Sequence, residues 1–254
     1  MTETRPAATV LLLRDGIAGL EVFMVRRHHA MGFAGDALVF PGGRIDESDR
    51  ALARRGDLCP PVPGTDEAAM AFRIGALRET FEESGILLAR KGDGLIEAAS
   101  VDRLSAARKA LAKGELAFAD LLAGEGLRLA ADFLVPFAHW ITPPVFPKRY
   151  DTMFFVAAAP GDQVAAHDGE ESVDSLWITP ERALAGAAGG KLEFVTRRNL
   201  EKLNRAGTVM KALATARASR IVIVLPVVED TPDGRRAHLP AAAGYGGSVF
   251  HFDR

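Results

Sequence analysis

The chain has 254 residues, of which 48% are hydrophobic, enough apolar material for one large core near the upper end of single-domain size. A formal net charge of -2, with no long basic run, argues against a nucleic-acid polymer as partner, because backbone binding needs a clustered cationic surface; free nucleotides need only a few local cations. No apolar stretch reaches the roughly 18 residues required to span a bilayer, so no membrane partner is expected and residues 1–254 read as one elaborated domain.

Residues 1–6 are polar and lead straight into strand-like sequence, so no signal peptide is expected. Residues 8–13 and 20–25 are β-rich runs separated by Asp15-Gly16 and Gly19, the pattern of a hairpin. The second run ends in Arg26-Arg27-His28-His29, where Arg26 and Arg27 are candidates to hold substrate phosphates, since the guanidinium fork matches phosphate oxygens. Residues 38–40 predict a short third strand. Gly42-Gly43 then lets the backbone turn tightly and come close to a ligand, with no Cβ in the way. Residues 49–66 contain Cys59-Pro60-Pro61-Val62-Pro63-Gly64, too proline-rich for a helix or a central strand. Cys59 is the single cysteine; it reads as an incidental loop thiol, excludes an internal disulfide framework and fits a reducing, cytoplasmic compartment.

A helix is predicted from about residue 66 to 84, stopping at Gly85. At 100° per residue, Met70, Ile74, Leu77 and Phe81 form an apolar stripe, while Glu79, Glu82 and Glu83 share the opposite side. Three carboxylates so placed repel one another unless a cation sits between them, and oxygen-only ligands favour Mg²⁺ or Mn²⁺. Gly75 lies on the glutamate side. A mid-helix glycine costs about 1 kcal/mol relative to alanine, so it is expected to make room for the Gly42-Gly43 loop.

Residues 101–123 carry helical periodicity and suggest two inserted helices, a structural cover or a cap over substrate. Residues 133–142 and 153–159 return to strand character. Between them, Arg149 and Lys148 form a second basic candidate beside Trp140, Phe146 and Tyr150, aromatic residues that could stack on a base. His167-Asp168-Gly169-Glu170-Glu171 precedes another strand, 172–178, and Thr179-Pro180-Glu181 is a good helix start. Helices near 193–203 and 209–217, a strand at 221–228 and a hairpin within 238–252 complete the chain; these C-terminal strands are a candidate homodimer surface. Phe252-Asp253-Arg254 is not a peroxisomal address. Paired strands, a helix, more strands and a helix suggest an α/β fold with a mixed sheet between helices.

Phe40-Pro41-Gly42-Gly43, followed by Arg78-Glu79-Thr80-Phe81-Glu82-Glu83-Ser84-Gly85-Ile86, resembles the box of the Nudix hydrolases, which cleave nucleoside diphosphates linked to another group. The resemblance covers residues 7 to about 185. It implies an α/β/α sandwich with a mixed sheet, here with a helical insertion at about 101–126 and a C-terminal extension at about 190–254. In the family's usual box a glutamate lies six residues after the second glycine and eight before the arginine; here those counts land on Asp49 and Met70. The box is therefore read as split by residues 49–66, an insertion of roughly 20 residues too rich in proline to be regular. Such an interruption resembles the peroxisomal coenzyme A diphosphatase branch and its bacterial relatives, as do Ala37-Leu38-Val39-Phe40, Trp140-Ile141-Thr142-Pro143-Pro144 and Arg149-Tyr150-Asp151-Thr152.

The resemblance implies Glu79 and Glu83 as principal metal ligands with Glu82 also near the metal, Arg78 paired to a carboxylate, and a general base drawn from Glu170, Glu171 or Glu79. Gly42, Gly43, Arg26, Arg27 and Arg149 would contact a small nucleotide substrate. One departure concerns that substrate. The better-known coenzyme A signature has a second arginine where this chain reads Met31-Gly32-Phe33-Ala34, so coenzyme A rests on likeness to the split-box branch. The alternatives are an ADP-ribose or dinucleotide (NADH-type) diphosphatase and a non-catalytic nucleotide-sensing module.

Overall fold

A computed structural model describes residues 3–27, 36–167 and 172–252. The chain opens with β1 (Arg5–Gly16) and β2 (Gly19–Arg27), an antiparallel pair turning where Asp15-Gly16 and Gly19 break the apolar runs. Next come β3 (Leu38–Val39) against β2, β4 (Gly42–Arg44) against β1, the short α1 (Glu47–Leu52) and the long α2 (Glu67–Ser84). β5 (Ala89–Lys91), β6 (Gly94–Leu95) and β7 (Arg128–Leu129) make a small side sheet around α3 (Ala98–Asp102), α4 (Ser105–Ala112) and α5 (Phe118–Glu125). β8 (Val135–Ile141), β9 (Tyr150–Ala158) and β10 (Ser172–Ile178) return to the main sheet. They are followed by α6 (Pro180–Leu184), α7 (Phe194–Leu203), α8 (Val209–Ala218) and β11 (Ile223–Val224), and last by a second three-stranded sheet of β12 (Val227–Thr231), β13 (Gly234–His238) and β14 (Val249–Phe252).

The main sheet runs in the order β10-β2-β1-β9-β8-β11. β1 lies parallel to β9 and β11 to β8, while the other pairs are antiparallel, so the sheet is mixed. Side chains of a strand alternate between faces, and both faces are apolar here. Val10 and Leu12 of β1, Phe23 and Val25 of β2 and Phe155 and Ala157 of β9 pack with Met70, Ile74, Leu77 and Phe81 of α2. Their neighbours Leu11, Leu13, Val22, Met24, Phe154 and Val156 pack with Leu200 and Leu203 of α7 and Ala212 and Ala216 of α8. The predicted sandwich of a mixed sheet between helices is the architecture observed. No helix among the described residues is long and apolar enough to cross a membrane.

The structure differs from the sequence-based expectations in four places. Residues 49–66 begin as helix, because α1 is complete before the first proline at position 60. The Gly42-Gly43 pair lies within β4, paired with Ala8 and Thr9, rather than in a free turn; a Cβ on Gly42 would stand 2.4 Å from the Ala8 carbonyl oxygen. Residues 101–126 fall in three helices that share the core of the main sheet, with Val101, Leu104, Leu111, Phe118 and Leu122 in the same cluster as α2. The predicted strand 221–228 breaks at Pro226, which has no N–H for a ladder, and its halves join different sheets.

Candidate active site

α2 carries the site. Asp66 caps it, its side chain accepting from Ala69 N–H at 2.8 Å, and Gly85 ends it in the left-handed region at φ +75° while donating to Phe81 O. The apolar stripe faces the sheet, but burial extends well beyond it. Thr80 and Ser84 are also buried, each donating its hydroxyl to the carbonyl four residues earlier, which spares them the cost of an unpaired polar group. Gly75 does not face the Gly42-Gly43 pair. A Cβ there would meet Ile45 Cδ1 at 2.5 Å and Asp49 Oδ2 at 3.0 Å, so the glycine makes room for the start of α1.

Arg78 is the hub. Its Nε and Nη2 donate to Asp49 Oδ1 and Oδ2 at 2.9 and 3.0 Å, its Nη1 donates to Glu79 Oε1 at 2.9 Å and to Glu82 at 3.2 Å, and its Nη2 also reaches the Arg44 carbonyl at 2.9 Å. Asp46 lies 3.7 Å from the same guanidinium. Asp49 is 1% exposed and also accepts from Asp46 N–H, which closes the cap of α1, while its bonds to Arg78 seat α1 on α2. The backbone of β4 completes the arrangement: Gly42 N–H donates to Glu83 Oε2 at 3.0 Å, and a Cβ on Gly43 would lie 2.4 Å from Glu79 Oε1. Without side chains, the two glycines let main chain and carboxylates share one small space.

One guanidinium therefore faces Asp46, Asp49, Glu79 and Glu82, with Glu83 alongside. Burial pushes the Glu79 carboxyl up to about 7 against the pull of Arg78, with Glu82 adding to the rise, and burial also raises Glu82. Arg78 is held charged: burial opposes the charge, but the hydrogen bond to Asp49 and the surrounding carboxylates outweigh it. The excess of buried negative charge and the all-oxygen donor set fit a hard divalent cation. They do not form a ready cage, since no group of three such side chains among the described residues is already placed to hold an ion. Glu79 and Glu82 are turned to Arg78 and Glu83 to Gly42, so a cation would compete with those partners for their oxygens.

The acidic face opens into a cleft of about 1880 Å³. Gly42, Gly43, Glu79, Glu82 and Glu83 line one side, α4 contributes Ser105 and Lys109, the β8–β9 connection Phe146 and Lys148, and the C-terminal sheet Arg235 and Phe252. Of the basic candidates, Arg27 lines this cleft, whereas Arg26, on the other face of β2, donates to the Ala188 carbonyl. Arg149 donates from Nε to Thr142 O across the β8–β9 ends, and the cleft wall is built by its neighbours Lys148 and Tyr150 instead. Trp140 also lines the cleft, but it is buried, donates to Tyr245 OH at 2.7 Å and packs edge-on against Phe194 and Tyr245. His28, His29, Glu170 and Glu171 lie outside the described residues.

Sequence reasoning did not assign a role to Asp49, although the six-residue count after Gly43 fell on it. Arg108, which donates to the Glu82 and Ala166 carbonyls, left no sequence signal, because its partners are main-chain atoms distant along the chain.

The family described as the NUDT19 Nudix domain matches residues 53–192, more than half of the chain. A Xenopus laevis protein named acyl-coenzyme A diphosphatase NUDT19 is 28% identical over 213 residues, covering 67% of this chain and 56% of its own length. A Caenorhabditis elegans protein named putative nudix hydrolase 7 is 30% identical over 187 residues, covering 74% of this chain and 55% of its own length. The chain thus spans little more than half the length of these relatives. Among solved structures, a NUDIX hydrolase from Alicyclobacillus acidocaldarius is 30% identical with a TM-score of 0.72, over 84% of this chain and 97% of that one. With the split box closed in space around Arg78 and the family match covering α2, the chain belongs to the Nudix hydrolases, within the NUDT19 Nudix domain family.

Proposed function

We propose that the protein is a Mg²⁺-dependent diphosphatase acting on coenzyme A or an acyl-coenzyme A, with Mn²⁺ able to replace Mg²⁺. The observation that carries this reading is the placement of Glu79, Glu82 and Glu83 on one face of α2, against the bare backbone of Gly42 and Gly43, at the floor of a long cleft. When bound, the cation would neutralise phosphate charge and make water more acidic. Glu79 and Glu83 would hold it with Glu82 beside them, and Arg78 would keep Glu79 and Glu82 aimed. Water adds to one phosphorus of the diphosphate and the bridging P–O bond breaks. Coenzyme A would give adenosine 3',5'-bisphosphate and 4'-phosphopantetheine. The water's proton would go to Glu170, Glu171 or Glu79.

Two features favour a long substrate. The relatives from Xenopus laevis, Gallus gallus and Homo sapiens are named acyl-coenzyme A diphosphatases. The cleft volume of about 1880 Å³ also exceeds the roughly 300–1,000 Å³ of ordinary small-molecule pockets. The helical insertion and the C-terminal extension both supply walls of this cleft, which suits a cover over the substrate's tail. The single cysteine supports a cytoplasmic site of action.

The test is incubation with Mg²⁺ and coenzyme A, acyl-coenzyme A, ADP-ribose, NADH, dinucleoside polyphosphates and nucleoside triphosphates, with products identified by mass. The two coenzyme A products are expected. Turnover of ADP-ribose or NADH alone would replace the substrate, and no turnover of any member with Mg²⁺ or Mn²⁺ would remove the enzyme reading. Glu83→Gln should abolish most activity without loss of fold, because size is kept while the charge that holds the ion is removed.

A further inference from the structure

After β9 the chain doubles back over the end of α2 and is fixed there at several points. The buried Gln163 side chain accepts from Leu87 N–H at 3.0 Å and donates to the Leu87 and Ile96 carbonyls at 3.2 Å. Ala166 N–H donates to Ser84 O at 2.8 Å. Arg108 of α4 donates from Nε to Glu82 O and from Nη2 to Ala166 O, both at 2.9 Å. A Cβ on Gly85 would stand 2.8 Å from Arg108 Nη1, so only the bare helix terminus lets the guanidinium come this close. The residue after Glu83 is in this way bonded to the residue before His167.

His167 lines the cleft together with Glu79, Glu82 and Glu83. Its own N–H donates to Ser175 Oγ at 3.1 Å, and its Nδ1 lies 3.1 Å from the same oxygen. The Ser175 oxygen already accepts from the main chain, which leaves its hydroxyl proton free to be donated to Nδ1. A ring that accepts at Nδ1 carries its proton on Nε2, and Nε2 has no partner among the described residues. Ser175 is itself held in β10 opposite Val25 of β2. The residue is thus fixed at its backbone and at one ring nitrogen, beside the acidic face of the cleft.

We propose that His167 contacts the substrate's diphosphate, donating from Nε2–H to an oxygen that gains negative charge as the bridging P–O bond breaks. The proton stays on the ring, so no further acid, base or co-reactant is needed. A fixed donor that requires no reorganisation when charge develops is the arrangement that lowers a barrier most. Ser175 and Arg108 act through His167 as positioning residues: Ser175 sets the tautomer, and Arg108 holds the main chain beside it against α2. This inference rests on the hydrolase reading above.

Three variants and one spectrum test it. In the intact protein with Mg²⁺ and the hydrolysed member of the substrate panel, His167→Ala is expected to lower kcat on the order of 10²-fold with KM little changed. His167→Gln, whose amide nitrogen can sit where Nε2 sits, should recover much of that loss, a rescue that a merely structural role would not produce. Ser175→Ala should fall between them, and all three should bind Mn²⁺ like the wild type. Independently of turnover, long-range ¹⁵N–¹H spectra should show His167 protonated on Nε2, with that signal shifted by imidodiphosphate in the presence of Mg²⁺. Folded His167→Ala with wild-type kcat, folded His167→Gln as impaired as His167→Ala, or a ring protonated on Nδ1 would each overturn the proposal. If the wild type hydrolyses nothing, the enzyme reading fails while the imidodiphosphate shift still decides the contact: no shift at His167 overturns it too.

Discussion

Arg78 and Asp49 form a two-pronged ion pair, Nε to Oδ1 at 2.9 Å and Nη2 to Oδ2 at 3.0 Å, between elements 29 residues apart in sequence, with both side chains almost wholly buried. The motif that is interrupted along the chain is closed in space by this pair. It also sets where the remaining Arg78 donor points, toward Glu79 and Glu82. Removing Asp49 leaves Arg78 its bonds to Glu79, Glu82 and the Arg44 carbonyl but strips Nε and the Asp46 N–H of their acceptor, a loss of about 1–3 kcal/mol for a buried donor left unpaired. Asp49→Ala should therefore lose about 1–3 kcal/mol of stability by urea unfolding and weaken Mn²⁺ binding as well, since Arg78 loses its two-pronged hold on α1. A loss below about 1 kcal/mol would show that the pair is not buried in solution as it is here.

The pair also decides the sign of a substitution that looks favourable. Alanine in place of Gly75 gains about 1 kcal/mol of intrinsic helix stability. Its Cβ would meet Ile45 Cδ1 at 2.5 Å and Asp49 Oδ2 at 3.0 Å, so both must move and the second is held by Arg78. Gly75→Ala is expected to be net destabilising, by about 1–3 kcal/mol for overpacking, and Gly75→Leu more so. A raised melting temperature for Gly75→Ala would mean that α1 can shift without strain.

Gly43 gives the opposite separation of effects. A Cβ there would lie 2.4 Å from Glu79 Oε1, the mobile end of a side chain, and Gly43 is not among the glycines at positive φ. The fold can absorb the methyl group by turning Glu79 away, but the site cannot. Gly43→Ala should melt within a few degrees of wild type and yet bind Mn²⁺ at least about tenfold more weakly, a change of about 1.4 kcal/mol. Calorimetric titration beside a thermal melt distinguishes the two.

Much of this was legible in the sequence, and for physical reasons. The hairpin of β1 and β2 follows from apolar runs broken at Gly16 and Gly19, and the ends of α2 follow from Asp66 and Gly85, because caps are local chemistry. What escaped was non-local or two-sided. Helix spacing puts Gly75 on the glutamate side, but its neighbour there is set by how α1 folds, which helix spacing cannot show. Arg26 and Arg27 look alike in sequence, yet strand alternation sends Arg27 to the cleft and Arg26 to Ala188. The bond between Arg108 and the Glu82 carbonyl leaves no pattern at all, since any residue could supply that acceptor.

Cys59 lies in the loop between α1 and α2, as the sequence predicts, but it is buried in the core beside α2. Burial pushes its thiol up to about 12, with Arg73 pulling the other way. At pH 8 the reactive thiolate is then on the order of one part in 10⁴. Native protein should give no fast reaction with a disulfide exchange reagent at pH 8, and one equivalent should react in denaturant. Stoichiometric labelling of the native fold within minutes would contradict this packing.

Glu79 predicts how metal binding depends on pH. In the metal-free protein its carboxyl is raised by burial to about 7 from an ordinary 4.5, so between those values the folded state keeps a proton that the unfolded chain has released. Stability falls as pH rises through a range where the folded state binds more protons. The metal-free protein should therefore lose stability from about pH 4.5 to 7, by an amount on the order of a few kcal/mol, and Glu79→Gln should flatten that slope. A divalent ion at the same carboxylate must displace the proton. Mn²⁺ affinity should thus rise by up to about tenfold per pH unit below 7 and level off above it. Titration calorimetry at pH 6, 7 and 8 checks this, and an affinity that does not change between pH 6 and 7 would place the ion away from Glu79.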